Sequence, residues 1–169
     1  EHRLPAATSR HAQMRLKCGR AAQLPFSAHG AAHAASTRPR HLQFLRMLIN
    51  PGGAIIRRHQ ETVVSKISEQ LQKNEPARKL LFNGEAGRAE RAKLLNEQDS
   101  LTERGRLSYH KHLIALLAGA CMSKNAVAEI AAQDLVSLDE VMAHLLDPSV
   151  KGDVPLTTAY ISLLAEAFI

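Results

Sequence analysis

The stretch Leu107–Met122 limits what this chain can become more than any other part of it. From Leu113 it reads Leu-Ile-Ala-Leu-Leu-Ala-Gly-Ala-Cys-Met, apolar on most sides. As a helix it would be about 24 Å long. A helix without a polar face must be enclosed by neighbours. The sequence therefore predicts a pack of helices with this one inside and Leu117 buried. No apolar run approaches the ~20 residues that cross a bilayer, so direct membrane insertion of this segment is not expected.

The flanking segments supply the neighbours. Leu42, Phe44, Leu45, Leu48 and Ile49 form a short apolar helix that Asn50-Pro51-Gly52-Gly53 stops. Val63, Val64, Ile67 and Leu71 mark one face of a helix over 57–73. Residues 74–106 are less defined, with Leu80-Leu81 and Leu94-Leu95 as short helical pieces in a polar connection. Beyond the greasy helix, Asn125 caps a short helix carried by Val127, Ile130 and Ala131. Ser137 and Glu140 have capping-box spacing, each expected to satisfy a first-turn amide. Leu138, Val141, Met142, Leu145 and Leu146 follow at helical spacing until Asp147-Pro148. Pro155 opens a last helix striped by Leu156, Ala159, Tyr160, Leu163, Leu164, Ala167 and Phe168. That stripe runs to the end of the sequence, so part of it is expected to lack a partner and to drive self-association.

No segment alternates as a strand does. The expected class is all-α. A helical pair with its links takes about forty residues, the length of armadillo and HEAT units. A solenoid segment is the reading adopted, and an ordinary helical bundle explains the pattern nearly as well.

Charge divides the chain. Residues 1–60 hold ten Lys/Arg against one acid, 61–122 ten against eight, and 123–169 two against seven. The net +6 thus describes a basic leader before a neutral-to-acidic folded part. Residues 1–37, rich in Ala, His, Arg and Ser, are expected to be a disordered leader, and 38–169 the helical segment. A transit peptide has a similar composition. The chain opens on Glu1 rather than methionine, as a piece of a longer protein would.

Chemistry is sparse. Two cysteines, Cys18 and Cys121, support neither a disulfide framework nor a four-cysteine zinc site, and Cys121 is expected to be a buried, inert thiol. His2, His11, His29, His33 and His41 lie in or beside the leader, without helical spacing. His110 and His112 point apart on a helix, so no metal site is expected there. Arg57-Arg58-His59 could hold an anion, but a solvated first turn is the better reading. Gly52-Gly53 belongs to no phosphate-binding motif, and Asp139-Glu140 is explained by capping. No catalytic residue, cofactor or enzymatic activity is expected. With no tryptophan and 4% aromatics, stacking on single-stranded nucleic acid is disfavoured.

Ordered short blocks then carry a resemblance. They are Tyr109-His110, Leu116-Leu117-Ala118, Lys124-Asn125, Glu129-Ile130, Leu138-Asp139-Glu140 and Ala159-Tyr160-Ile161, with Phe44-Leu45, Gly53 and Gln60 upstream. In that order and spacing, residues 40–169 resemble the second RIH domain of the inositol trisphosphate receptor family. The ryanodine receptor is a more distant relative. Ser123 stands where that family has glycine and Met122 where it has glutamate, so the turn after the long helix is expected to differ.

The resemblance implies an armadillo-like segment of a tetrameric calcium-release channel, on the cytosolic face of the endoplasmic reticulum membrane. Its partners would be neighbouring repeats and subunits, and its role to pass rearrangement toward the pore. The family's ligand pocket and pore helices would lie elsewhere in the full-length chain. A free-standing helical-repeat scaffold for protein partners is the alternative. Nucleic-acid binding through the basic leader ranks lower and is not expected.

Overall fold

The computed structural model describes residues 39–97 and 105–169, and every regular element among them is helical. The expectation of a disordered leader over 1–37 lies outside the described residues. The helices are α1 (Pro39–Ile49), α2 (Arg57–Lys73), α3 (Glu75–Arg78), α4 (Gly84–Asn96), α5 (Arg106–Cys121), α6 (Ala126–Leu135), α7 (Leu138–Leu146), α8 (Pro148–Lys151) and α9 (Val154–Ala167). Two 3₁₀ turns, Pro51–Gly53 and Lys79–Leu81, complete the order. Among the described residues no helix is long and apolar enough to cross a membrane.

The greasy helix is the shaft of the fold. α5 touches α1, α2, α4, α6, α9 and the Lys79–Leu81 turn. Leu107, Leu113, Ile114, Leu116, Leu117 and Cys121 are all fully buried, on several sides of the helix. Each such leucine contributes about 1.5–3 kcal/mol on leaving water. α1 and α9 flank α5, and α2 lies against α6. α1 approaches closely enough that a Cβ on Gly119 would come 3.2 Å from Ile49 Cδ1.

Helix ends follow local chemistry. Asn74, Asn125, Ser137, Asp147 and Asp153 each accept a first-turn amide through the side chain, capping α3, α6, α7, α8 and α9. The turn between α5 and α6 is held from α2. Gln60 Nε2 donates to the carbonyls of Met122 (3.0 Å) and Gly119 (3.4 Å), and Asn125 Nδ2 donates to Gln60 Oε1 (2.9 Å).

Three expectations are corrected. Residues 84–96 form a thirteen-residue helix rather than a fragment around Leu94-Leu95. α6 buries Ala128, Ala132 and Leu135, while Val127 and Ile130 face outward. Ala128 and Ala132 let α6 lie close to α2 and α5, Leu135 is buried at its end, and Val127 and Ile130 are left on the outer side. α7 likewise turns Val141 and His144 inward and leaves Leu138, Met142 and Leu146 exposed.

The closing stripe is also mostly satisfied. Leu156, Ala159, Tyr160, Leu163 and Ala167 are buried against α5, α6 and α7, and Leu164 and Phe168 are partly so. The bare face of α9 is the opposite one: Val154, Thr158, Ile161, Ala165 and Ile169 are exposed, and none is charged.

Candidate functional site

Apart from the Gln60–Asn125 pair, the buried polar side chains of the described residues collect around the middle of α4, where α5, α7 and α9 converge. His110 comes from α5, His144 from α7, Tyr160 from α9 and Arg91 from α4, and all four are fully buried. Nothing in the apolar spacing of their helices announces the convergence. Each occupies a position that a hydrophobic residue would otherwise fill.

Hydrogen-bond logic fixes the states of two of them. The Leu80 carbonyl lies 2.8 Å from His110 Nδ1 and can only accept, so Nδ1 carries the proton. Nε2 is then the acceptor for the Tyr160 hydroxyl, at 2.9 Å. Both ring nitrogens are used and the imidazole is neutral. Burial pushes its pKa down to about 3, the Leu80 hydrogen bond opposes that, and the charges of Arg91 and Lys111 add to it. Burial likewise raises the Tyr160 phenol above its ordinary range. A neutral histidine accepting from a neutral tyrosine, both away from solvent, is a structural bond rather than an acid–base pair.

Aromatic contacts tighten the cluster. Phe82 meets His110 edge-on at 5.0 Å, with the Arg106 guanidinium 5.6 Å from its ring centre on another side. His144 stacks on Tyr160 at 4.6 Å. Phe82 ends its 3₁₀ turn in a left-handed conformation (φ 54°), and a Cβ on Gly87 would strike its backbone carbonyl carbon at 2.4 Å. Only glycine lets α4 pass there.

The charged partners sit at the rim. Arg91 Nη2 donates to Asp147, whose carboxylate also accepts from the amide and hydroxyl of Ser149. Burial works against the Asp147 charge, yet Ser149 and Arg91 together hold its carboxyl below the usual range. Glu140 does not return to the start of its own helix as a capping box would require. Its Oε1 accepts from Gly84 N (3.0 Å) and its Oε2 from Arg88 Nη1 (2.9 Å). The first turn of α4, with a free amide and an arginine, outbids the local amide. Only the Ser137 half of the box is present.

Some polar atoms remain without a partner: Arg91 Nε and Nη1, and both ring nitrogens of His144. The nearest acid to His144 is Glu140, 4.0 Å from Nε2.

The other singled-out residues disperse. His112 pairs with Gln43 at 2.9 Å, across the α5–α1 seam and away from His110. His41 stands exposed on α1, so that histidine is helical after all, whereas His2, His11, His29 and His33 lie outside the described residues. Arg57 reaches the Ser123 carbonyl and His59 Nδ1 the Leu48 carbonyl, contacts that brace the turns after α5 and α1. Cys121 is buried, and burial pushes its thiol up to about 12, where it is inert at neutral pH; Cys18 lies outside the described residues. Among the described residues no three of His, Cys, Asp or Glu gather as metal ligands would.

Sequence reasoning missed Arg91 and His144. The one local signal was the i, i+4 spacing of Glu140 and His144 on a helix whose apolar residues cover more than one face. The chain matches no known family model and no solved structure.

Proposed function

We propose that these helices are a segment of the cytosolic regulatory solenoid of an inositol-trisphosphate-receptor-like calcium-release channel of the endoplasmic reticulum. In this reading the segment transmits rearrangement toward the pore and contains neither the ligand pocket nor the pore. Neighbouring repeats and subunits of a tetramer are its partners.

One observation carries the reading. The residue blocks behind the family resemblance meet in space. His110 of the first block bonds Tyr160 of the last at 2.9 Å, and Asn125 bonds the upstream Gln60 at 2.9 Å. Matching residues that make the buried polar contacts of a fold are the ones a shared architecture would require. The packing order adds support: α1, α5 and α9 lie in sequence side by side, and α2 lies on α6, as first and second helices of successive repeats would. Packed helices with discrete arrangements suit a transmitting role.

The test is the complete transcript that carries this coding region. The reading requires the same reading frame to contain several apolar segments of ~20 residues and a pore. A frame that contains none would favour the free-standing scaffold instead. The exposed Leu138, Met142 and Leu146 on α7 would then be its partner surface. Separately, the 169-residue chain should show no saturable binding of inositol trisphosphate. Saturable binding would put the ligand pocket in this segment and overturn the assignment.

A further inference from the structure

Helix α1 carries two large apolar side chains that the fold does not use. Leu42, Leu45 and Ile49 are buried, on the side where α1 meets α5 and α2. Phe44 and Met47 stand on the opposite face, 55% and 69% exposed. Side chains that line a cleft are covered further than that, so this pair protrudes. Arg40 comes one turn earlier on the same face, and Arg46 lies on its flank.

The surroundings of this face are basic. Residues 39–60 hold Arg40, Arg46, Arg57 and Arg58 and no acid, and the first acid, Glu61, comes in the second turn of α2. The main packing partner of α1 is α5, which carries no acid either. His59 Nδ1 donates to the Leu48 carbonyl (2.9 Å) and the Ile56 amide to the Ile49 carbonyl (3.4 Å), so Arg57 and Arg58 start α2 beside the last turn of α1. Acid is gathered elsewhere. Residues 123–169 hold seven acids against Lys124 and Lys151, and they form α6 to α9, which are not the main partners of α1.

We propose that α1 and the start of α2 form a peripheral docking face for an anionic phospholipid surface. Phe44 and Met47 enter the boundary between headgroups and acyl chains, while Arg46, Arg57 and Arg58 stay among the phosphates. The separation of charge along the chain turns this face toward the lipid and the acid-rich helices away from it. A planar partner suits side chains that protrude, whereas an amphipathic peptide helix needs a groove to lie in. The contact is adsorption rather than insertion. It also stands apart from the channel reading, because a free-standing scaffold with the same face would bind the same surface.

The chain has no tryptophan, so Phe44→Trp sets a single reporter on this face. With vesicles of equimolar phosphatidylserine and phosphatidylcholine, its emission should shift to the blue and be quenched by lipids brominated high on the acyl chain. Vesicles of phosphatidylcholine alone should leave it unchanged. In co-sedimentation with the mixed vesicles, Phe44→Ser with Met47→Ser should bind about tenfold more weakly or worse, and so should Arg46→Glu with Arg58→Glu. All four side chains are exposed, so both variants should melt with the unaltered chain. Should either fail to fold, the tryptophan reporter decides alone. Absence of binding to the mixed vesicles, or an equal blue shift on phosphatidylcholine alone, would overturn the proposal. So would binding that leaves the reporter unshifted and the serine variant undiminished, which would assign the affinity to residues 1–38.

Discussion

Ser123 and Lys124 stand side by side in the left-handed region, φ 64° and 55°, where a side chain costs about 1–2 kcal/mol per residue. The turn between α5 and α6 therefore carries the strain of two side chains in a conformation that suits glycine. Ser123→Gly should stabilise the fold by about 0.5–1 kcal/mol, part of the relief being lost to the freer unfolded chain. A raised denaturation midpoint with an unchanged slope would be the sign, and a lowered one would show the serine to be fastened there. The acid limb of stability depends on His110. Unfolded, it takes up a proton near its ordinary value, whereas native it resists to about 3 because it is buried. Stability is therefore full above about pH 6.5 and falls as pH drops toward the folded value, by on the order of a few kcal/mol. Urea unfolding across that range should show this for the whole fold, and His110→Gln should flatten it. An unchanged acid limb in the variant would assign it to other groups.

Helix limits were legible in the sequence because they are local. Asn125, Ser137 and Pro155 act on amides or angles within one turn, and 57–73 matched α2 residue for residue. Helix rotation was not legible in α6 and α7, where apolar residues occupy two faces and only the available space chooses between them. α2 and α5 come close to α6, so alanines face in and Val127 and Ile130 face out. Ile130→Ser should then change stability by no more than about 0.5 kcal/mol. Ala132→Leu should cost about 1–3 kcal/mol by overpacking. Thermal melts of both suffice, and a large loss in Ile130→Ser would mean that α6 is rotated. The buried cluster was invisible for a different reason. Arg91, His110, His144 and Tyr160 come from four helices, and no spacing within one helix records what three others bring to meet it.

At the scale of the whole molecule, uncharged side chains remain on the outside of two helices. Val154, Thr158, Ile161 and Ala165 of α9 and Leu138, Met142 and Leu146 of α7 give water few favourable contacts. The isolated chain should self-associate as its concentration rises, and Ile161→Glu with Leu146→Glu should suppress this. Sedimentation equilibrium measures both, and a chain that stays monomeric at high concentration would show the patches too small or too scattered to matter.

The position of α5 between α1 and α9 also sets an order of events on the ribosome. Thirty-two residues separate the end of α5 from the start of α9, or roughly 2–6 s of synthesis. A helix forms in microseconds or less, so for that interval a finished α5 can lean on the elements already made, α1, α2, α4 and the Lys79–Leu81 turn, then on α6, with the flank that α9 covers wet. The nascent chain carries its greasiest surface half-dressed until the last helix emerges, and whatever shields it then belongs to the cell.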